Sequence, residues 1–318
     1  MLAEQELEQE VTSGVLDFLW LEITGKCNLR CIHCYAESEP SCSHGVLEPQ
    51  DWKQIVLEAK KLGCKTVQFI GGEPTVHPHF VELVRYAHQL DLEIEVFTNL
   101  LSIPTRTWTL FEECNVSVAT SFYSAVPDIH DQITELKGSH GKTLANIAKV
   151  LEKGFPLRVG LIKVLPEQDV DAAEALLRSI GVTNVGIDHV RSVGRGASLA
   201  EPVKYPEDAL CGDCAFGKAA VVPDGSVYPC VFSRWLPIGN VLEYNFTDIV
   251  IGHQMQFTRG QLALSFLQRQ SSIYQCEPQA CNPMCTPRGG CQPNCAPRCS
   301  PTCNPIACNP RGCWPATG

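Results

Sequence analysis

The sequence has little positive charge for its size. Its 318 residues include 25 lysines and arginines against 35 aspartates and glutamates, which gives a net charge of −10. Proteins that follow a phosphate backbone usually carry a basic excess. This balance therefore predicts that nucleic acid is not a partner.

Long apolar runs and export signals are also missing. No uninterrupted apolar stretch is long enough to cross a bilayer. The first residues after Met1 are acidic, whereas a signal peptide would be basic and then apolar. The sequence has no Walker-type phosphate loop and no nucleophile–base set. We therefore predict a cytoplasmic protein that does not use a membrane, and we look for its chemistry in other residues.

Cysteine is abundant. Of the 18 cysteines, nine precede residue 231 and nine lie between Cys276 and Cys313. A secreted disulfide scaffold would be shorter and would carry an export signal. In a reducing cytosol, closely spaced cysteines more often bind metal ions or clusters. We therefore expect metal or cluster ligands among them.

Short β-rich runs alternate with helical patterns from residue 15 to about residue 190. The predicted strands are Leu16–Ile23, Thr66–Ile70, Glu93–Thr98, Val116–Ser121, Leu157–Leu165 and Asn184–Val190. The predicted helices are Asp51–Leu62, His79–Gln89, Thr105–Glu113, Gly141–Lys153 and Asp169–Ile180. Such alternation is typical of right-handed parallel βα units. A complete eight-unit barrel needs about 250 residues, so six units predict an α/β fold with a partial (β/α)6 barrel.

Composition divides the chain into four predicted segments: residues 1–14 as an N-terminal extension, 15–200 as the barrel, 201–270 as a small C-terminal domain, and 271–318 as a cysteine- and proline-rich tail. Glycine and proline interrupt the pattern at Gly194–Pro206. Cys211–Val241 is predicted to be a hairpin region that turns at Pro223-Asp224-Gly225, and a helix is expected between Phe246 and Gln268. Repeated Cys-x-Pro in the tail excludes a regular helix or central strand there.

Three cysteines follow the first predicted strand as Cys27-x3-Cys31-x2-Cys34. Barrel folds place their chemistry at this end of the strands. Three thiolates can hold three irons of a four-iron cluster and leave one iron open to a small ligand. A zinc site is the alternative, with His33 or His44 as a fourth ligand.

A second motif, Gly71-Gly72-Glu73-Pro74, follows the second predicted strand. Together the two motifs resemble the radical S-adenosylmethionine (SAM) superfamily over about residues 15–200. The resemblance implies that Cys27, Cys31 and Cys34 hold a [4Fe–4S] cluster and that the glycine motif binds the amino group of SAM. Glycines admit a ligand close to the backbone, and a carboxylate or carbonyls can accept from an ammonium group.

The resemblance implies further contacts to SAM. Asn99 would contribute from the end of strand three, although Leu100 stands where the family has glycine. Ser121 would contribute from the end of strand four, although Ser121-Phe122-Tyr123-Ser124 differs from the commoner Ser-x-Asp-Gly. Residues 190–196 resemble the segment near the adenine, or else they form a loop that closes the domain.

The chemistry implied by this resemblance is reductive cleavage of SAM to methionine and a 5′-deoxyadenosyl radical. That radical takes a hydrogen atom from an unactivated carbon. A flavodoxin- or ferredoxin-type reductant would supply the electron. The protein's own contribution is to orient the reactants and exclude water.

A third pattern, Cys214-x10-Gly225-x4-Cys230, resembles the start of the SPASM module, which carries auxiliary iron–sulfur clusters. By the family's wiring, Cys211, Cys214, Cys230 and Cys295 would hold one auxiliary [4Fe–4S] cluster. Cys281, Cys285 and Cys291 would hold a second cluster with one further tail cysteine. Two alternatives remain open: a single auxiliary cluster, and zinc bound by the tail.

The substrate is the least determined part. A SPASM-like module is frequent in enzymes that install a crosslink, thioether or epimer in a ribosomally made peptide. Since only some 15 residues precede the first strand, a separate peptide-recognition protein is expected for that substrate. The alternative is an epimerase or dehydrogenase acting on an aminosugar-like antibiotic intermediate, which the acidic net charge would attract. A non-catalytic iron–sulfur scaffold would leave Gly71–Pro74 without a purpose.

Residues outside these patterns receive simpler interpretations. Cys64 and Cys114 are expected to be buried core residues. Asp128, His130 and Asp131 are expected to lie in a loop after strand four, where they could meet substrate; a solvated loop without a role is the favoured interpretation.

Overall fold

The computed structural model describes residues 14–273, with side chains as far as residue 267. Contacts divide the chain into two compact units, Met1–Ala263 and Leu264–Gly318, and every described strand belongs to the first. The predicted N-terminal extension lies almost entirely outside the described residues. The predicted tail does so from residue 274 onward, and with it lie Cys281, Cys285, Cys291 and Cys295.

Six strands and six helices make up the first part of the fold. The strands are β1 (Phe18–Thr24), β2 (Thr66–Gly71), β3 (Glu93–Phe97), β4 (Ser117–Phe122), β5 (Leu157–Lys163) and β6 (Asn184–His189). The helices are α1 (Pro49–Lys61), α2 (Phe80–Gln89), α3 (Thr105–Glu113), α4 (Pro127–Thr134), α5 (Ser139–Glu152) and α6 (Val170–Ser179). All six predicted strands and all five predicted helices are present, with ends shifted by a few residues.

Three short strands and two helices follow. They are β7 (Lys218–Val221), β8 (Ser226–Tyr228), β9 (Gly239–Asn240), α7 (Phe246–Ile251) and α8 (His253–Ile273). The predicted hairpin turn is confirmed, because the Gly225 amide donates to the Val222 carbonyl at 2.9 Å with Gly225 at φ +87°. Among the described helices, none combines the length and apolar character that spanning a membrane requires.

The strands form one nine-stranded sheet in the order β6-β5-β4-β3-β2-β1-β7-β8-β9. From β1 to β6 each strand pairs in parallel with the next, as the βα alternation predicts. β7 also pairs with β1 in parallel, and β8 and β9 add antiparallel. The cysteine-bearing region after residue 210 therefore extends the barrel sheet at its β1 edge.

The two faces of the sheet are built from alternating residues. In β1, Leu19, Leu21 and Ile23 are completely buried, while Trp20 lies between them and lines an internal cavity. A strand with period two sends successive side chains to opposite faces. The apolar face packs under the helices, as the contact between the rings of Phe69 in β2 and Phe80 in α2 illustrates, with centroids 6.1 Å apart.

Helix α4 was not predicted, and the expectation of a solvated loop at Asp128–Asp131 is wrong. His130, Ile133 and Thr134 are buried at the i, i+3, i+4 spacing of one helical face. Two of these three residues are polar, which hid the pattern. Asp131 then holds the next turn by accepting from the amides of residues 138 and 140, at 2.5 and 2.9 Å. The predicted burial of Cys64 and Cys114 is confirmed.

Candidate functional site

A cavity of about 650 Å³ opens where the parallel strands end. Its lining brings together residues that lie far apart in the sequence. Those among the predicted site residues are Cys27, Cys31, Cys34, Gly71, Gly72, Asn99 and Ser121. The carboxyl ends of parallel strands meet at one edge of a sheet, which is where barrel enzymes place their chemistry.

The three cysteines after β1 line this cavity, with Cys27 buried and Cys31 and Cys34 half-buried. Burial raises the pKa of the Cys27 thiol to about 12, with a further contribution from the Glu73 carboxylate. Burial and the neighbouring thiols also raise the pKa of Cys31. Each of the three sulfurs is within electrostatic range of the others. Buried thiols with raised pKa values become thiolates when a metal cation replaces their protons.

Two hydrogen-bond donors already point at the Cys27 sulfur. The Leu29 amide lies 3.4 Å from it, and the Asn99 side-chain amide lies 3.7 Å away. Asn99 also donates to the side chain of Asn28 at 2.7 Å. Donors of this kind favour a charged sulfur over a neutral one.

The two glycines of the second motif touch the backbone of the cysteine loop. A Cβ on Gly71 would lie 2.4 Å from the Thr24 carbonyl, and one on Gly72 would lie 2.2 Å from the Lys26 carbonyl. Gly71 also has φ +130°, which L side chains rarely adopt. The motif is therefore locked against the end of β1, and Gly72 completes the contact by donating to the Thr24 carbonyl at 2.8 Å.

The Glu73 carboxylate has an internal role in this structure. It is almost fully buried and accepts from the Thr75 amide and hydroxyl, the Thr98 hydroxyl and the Asn99 amide at 2.6 to 3.2 Å. Burial raises the pKa of Glu73, and these hydrogen bonds oppose the rise. The sequence suggested either a carboxylate or backbone carbonyls as acceptors for the ammonium group of SAM. The Glu73 carboxylate is already occupied by these hydrogen bonds, whereas Gly71 and Gly72 line the cavity.

Leu100, which occupies a position where glycine was expected by resemblance, adopts φ +53°. That conformation costs a residue with a Cβ atom roughly 1–2 kcal/mol. It is held by full burial of the side chain and by a hydrogen bond of 2.7 Å from Asn146 to the Leu100 carbonyl. The bend that places Asn99 in the cavity is therefore kept without a glycine.

The histidines suggested as zinc ligands make other contacts. His44 shares a hydrogen bond of 2.9 Å with Thr24, and its ring packs edge-on against His77. The His33 ring packs against Tyr123 with centroids 5.0 Å apart. In residues 14–273, no three His, Cys, Asp or Glu side chains surround a point where a single metal ion would be held.

A second set of cysteines lies next to the β7–β8 hairpin. Cys214 interacts closely with both Cys211 and Cys230; this interaction lowers the pKa of Cys211 to about 5 and raises that of Cys214. The Phe232 amide donates to the Cys230 sulfur at 3.3 Å. Three of the four cysteines assigned to the first auxiliary cluster are thus adjacent, and the fourth, Cys295, lies outside the described residues.

The two cysteine sets are connected by packed side chains that sequence reasoning missed. Tyr35, directly after Cys34, packs edge-on against Phe232 with ring centroids 5.1 Å apart. The guanidinium of Arg234 lies 5.5 Å from the Tyr35 ring centroid and pairs with Glu22 of β1. None of these residues has a motif that marks it, because each contact joins distant parts of the chain.

His130 of α4, one of the three residues that the sequence suggested could meet substrate, lines the cavity. Its ring lies among those of Phe122, Tyr123 and His140, with centroids 4.9 to 5.4 Å away. Burial and His140 lower the pKa of His130 to about 4. In the described part of the chain, the Nδ1 atoms of His130 and His33 are buried without a hydrogen-bond partner, and both residues belong to the cavity lining.

Comparison with protein families finds two matches in chain order. The sequence model of the radical SAM superfamily matches residues 21–180, which is half of the chain. The model of SPASM, an iron–sulfur cluster-binding domain, matches residues 209–286. The first match contains Cys27, Cys31, Cys34 and the glycine motif, and the second contains Cys211, Cys214 and Cys230.

Curated relatives match over part of their length. The antilisterial bacteriocin subtilosin biosynthesis protein AlbA of Bacillus subtilis is 24% identical over 260 residues, covering 72% of this chain and 58% of AlbA. A PqqA peptide cyclase of Ruegeria pomeroyi is 30% identical over 145 residues, covering 44% of this chain and 38% of the relative. The chain thus spans about half the length of the curated relatives it matches.

Solved structures show the same fold at low identity. Streptococcus suis SuiB bound to its precursor peptide SuiA superposes with a TM-score of 0.65 at 14% identity, covering 79% of this chain and 68% of SuiB. The enzyme anSMEcpe with bound AdoMet and the Cp18Cys peptide gives a TM-score of 0.62 at 15% identity, covering 82% and 86% of the two chains. These likenesses confirm the α/β fold, and the match to the SPASM model shows the C-terminal domain.

Proposed function

This chain belongs to the radical SAM superfamily, and from that membership we propose that it modifies a ribosomally made peptide by abstracting a hydrogen atom from an unactivated carbon. Its family implies [4Fe–4S] clusters and SAM as cofactors. When bound, they supply a 5′-deoxyadenosyl radical by one-electron cleavage of SAM. The product of the peptide reaction, whether a crosslink, a thioether or an epimer, is the finer part of the proposal.

The residues of the cavity fit the first cluster. Cys27 is buried and Cys31 and Cys34 are half-buried, and three thiolates leave a four-iron cluster with one iron open to SAM. His33 and His130, whose Nδ1 atoms have no hydrogen-bond partner, line the same cavity. We propose that these three cysteines are the ligands.

We propose that Gly71, Gly72, Asn99 and Ser121 contact SAM from the strand ends that line the cavity. The glycines bring the backbone within reach of a ligand. Glu73 and Pro74 are proposed to support these contacts indirectly. The Glu73 carboxylate accepts from the Asn99 backbone amide at 2.8 Å, and Pro74 begins the short 3₁₀ turn that carries Thr75. The chain's part is to orient SAM and to keep water away from the reacting carbon.

We propose that Cys211, Cys214 and Cys230 hold an auxiliary cluster, with Cys295 as the predicted fourth ligand. Two of these thiols are buried and Cys214 interacts closely with the other two, which is the grouping a shared cluster needs. The second auxiliary cluster, on Cys281, Cys285 and Cys291, stays a prediction from the sequence.

The observation that carries the peptide proposal is that the cavity reaches the surface along β6. Ile187 lines the cavity and is 51% exposed, and His189 beside it is exposed as well. One side chain of a peptide can enter there while the rest of the peptide stays outside. The names of AlbA and of the PqqA peptide cyclases, which concern peptide products, support the same class of substrate.

The net charge of the chain favoured an aminosugar as the alternative substrate, but the charged residues of the cavity give it less support. Its described charged residues include Arg158, Asp188 and Arg191. Arg158 is paired with Glu95 at 2.7 Å and Arg191 with Asp188 at 2.6 Å. The lining therefore offers no excess of carboxylates to a polycation in the part of the chain that the structure describes.

Two partners belong to the proposal. A flavodoxin- or ferredoxin-type protein would supply the electron, and a separate recognition protein would present the peptide. The electron donor follows from the one-electron cleavage of SAM, and the recognition protein stays a prediction from the sequence.

The test is product formation by anaerobically reconstituted protein. After reduction, the unaltered protein is expected to convert SAM to 5′-deoxyadenosine, and Cys31→Ala is expected to abolish that product. Cys42→Ala, which changes a cysteine outside both sets, should retain it. Continued formation of 5′-deoxyadenosine by Cys31→Ala would contradict the assignment.

The substrate class is tested with two probes, short peptides encoded beside the gene and an aminosugar. A peptide is expected to increase the rate of 5′-deoxyadenosine formation and to change in mass itself. An increase with the aminosugar alone would replace the peptide proposal by the alternative.

A further inference from the structure

The segment after β6 lies directly on the cysteine loop. The Arg195 amide donates to the Cys34 carbonyl at 3.0 Å. The Arg195 side chain donates through Nε to the Cys31 carbonyl at 2.9 Å and through Nη2 to the Ser38 carbonyl at 2.7 Å. One residue thus contacts the loop at its second cysteine, its third cysteine and its far end.

The glycines on both sides of Arg195 allow this contact. A Cβ on Gly194 would lie 2.4 Å from the Tyr35 carbonyl, and Gly194 has φ +56°. A Cβ on Gly196 would lie 2.5 Å from the Arg191 carbonyl and 3.1 Å from the His33 carbonyl. The Gly194-Arg195-Gly196 segment therefore packs backbone against backbone, where no side chain has room.

The charge of Arg195 lies at the cysteines. Its two described side-chain hydrogen bonds go to neutral carbonyls, and its positive charge acts on the Cys31 thiol as well as on His33 and Glu39. A guanidinium offers a planar fork with several donors at fixed angles, whereas an ammonium group is a single point of charge. The bonds to the Cys31 and Ser38 carbonyls use two different nitrogens of this fork, Nε and Nη2.

We propose that Arg195 is a positioning residue that holds the Cys27–Cys34 loop in its ligating conformation before any cluster is bound. Gly194 and Gly196 bring it into place. The inference rests on the proposed role of Cys27, Cys31 and Cys34 as cluster ligands. It assigns the segment after β6 to the cluster site rather than to a domain-closing loop.

The test compares Arg195→Gln and Arg195→Lys with a matched control, Arg178→Gln. Arg178 also donates to two backbone carbonyls, those of Val182 and Thr183, but in the turn before β6. The first measurement is amide hydrogen exchange in cluster-free protein over residues 31–38. We expect both Arg195 variants to exchange faster there, while Arg178→Gln exchanges like the unaltered protein.

The second measurement follows the cluster whose electron paramagnetic resonance signal responds to SAM. Reconstituted protein is mixed with a chelator, and the rate at which this cluster is lost is recorded. Groups that hold metal ligands in place change metal affinity roughly 10–100-fold when they are replaced, and we expect an acceleration of that size for Arg195→Gln. Arg195→Lys should be close to Arg195→Gln, because it keeps the charge but loses the fork.

Two results would overturn the inference: unchanged exchange and unchanged cluster loss in Arg195→Gln, or full recovery of both in Arg195→Lys. A general loss of stability is recognised separately, because it would lower the unfolding midpoint and speed exchange outside residues 31–38. If the unaltered protein held no SAM-responsive cluster, the proposed function would fail, and the exchange of the cluster-free protein would still decide the role of Arg195.

Discussion

The guanidinium of Arg234 is hydrogen-bonded to both carboxylate oxygens of Glu22, which lies 212 residues earlier in the chain. Glu22 is almost completely buried, and Arg234 lies near the rings of Tyr35 and Tyr228. The pair ties β1 of the radical SAM barrel to the segment that follows Cys230. It therefore joins the surroundings of the two cysteine sets.

Replacing Glu22 by Gln is expected to destabilise the protein strongly. Removing one partner of a buried ion pair leaves the other charge uncompensated and costs about 3–5 kcal/mol. The measurement is urea unfolding of the cluster-free protein. Arg85→Gln, which breaks an exposed pair with Glu113, is the matched control and should leave the unfolding curve almost unchanged. Equal effects of the two variants would contradict the structural role of the Glu22–Arg234 pair.

Glu73→Gln is expected to weaken SAM binding without removing the cysteine ligands. The carboxylate accepts hydrogen bonds from Thr75, Thr98 and the Asn99 backbone amide. In the glutamine variant, the side-chain nitrogen replaces one of the two oxygens and would face one of these donors. Hydrogen bonds to a charged group contribute about 1.5–3 kcal/mol each, so Asn99 should leave its position. Calorimetric titration of reconstituted protein with SAM measures the effect.

Glu93→Gln provides the comparison for Glu73. Glu93 is an exposed carboxylate at the start of β3, away from the cavity, and its replacement should leave SAM affinity unchanged. Unaltered affinity in Glu73→Gln would show that the carboxylate does not position Asn99.

The sequence was sufficient to predict the parallel α/β core because each strand and helix carries its own periodic pattern. It also marked Cys27, Cys31, Cys34 and the two glycines, because their spacing along the chain is short and fixed. It could not predict that β7 pairs with β1, since a strand of four residues carries no information about its neighbour. The roles of Arg195 and Arg234 could not be predicted either, because their hydrogen-bond partners lie more than 150 residues away in the sequence.

Helix α4 shows a different limit. Its buried face is made by His130, Ile133 and Thr134, and a pattern search that counts apolar residues does not register two polar members. Their burial becomes visible only when β4 and α5 are in place around them. Hydrophobic periodicity therefore fails where a helix turns polar side chains toward a functional cavity.

Acidification is expected to destabilise the cluster-free protein, in part through His130. The folded state keeps this buried ring neutral down to a pKa of about 4, whereas the ordinary pKa of histidine is 6.5. As the pH falls below about 6.5, the unfolded chain takes up a proton that the folded protein does not, and stability falls by up to about 1.4 kcal/mol per pH unit. The contribution of His130 is complete above pH 6.5 and is lost toward pH 4.

His130→Phe should reduce this pH dependence, because it keeps an aromatic ring among Phe122, Tyr123 and His140 and removes the titrating group. Urea midpoints measured between pH 7 and pH 5 give the slope. Replacing His88, an exposed histidine, by Phe is the comparison and should retain the original slope. A His130→Phe slope as steep as that of the unaltered protein would mean that other groups dominate.

Cys214→Ala is expected to lower the iron and sulfide content by the amount of one cluster and to leave the SAM-responsive cluster in place. Cys214 is buried between Cys211 and Cys230, so its loss breaks the centre of the set, whereas Cys27, Cys31 and Cys34 occupy a separate loop. Iron and sulfide are quantified on anaerobically reconstituted protein, and the response to SAM is followed by electron paramagnetic resonance. Cys114→Ala removes a buried cysteine that belongs to neither set and should retain the full iron content. If Cys214→Ala kept its iron, or if it lost the SAM response together with the iron, the two cysteine sets would not be independent cluster sites.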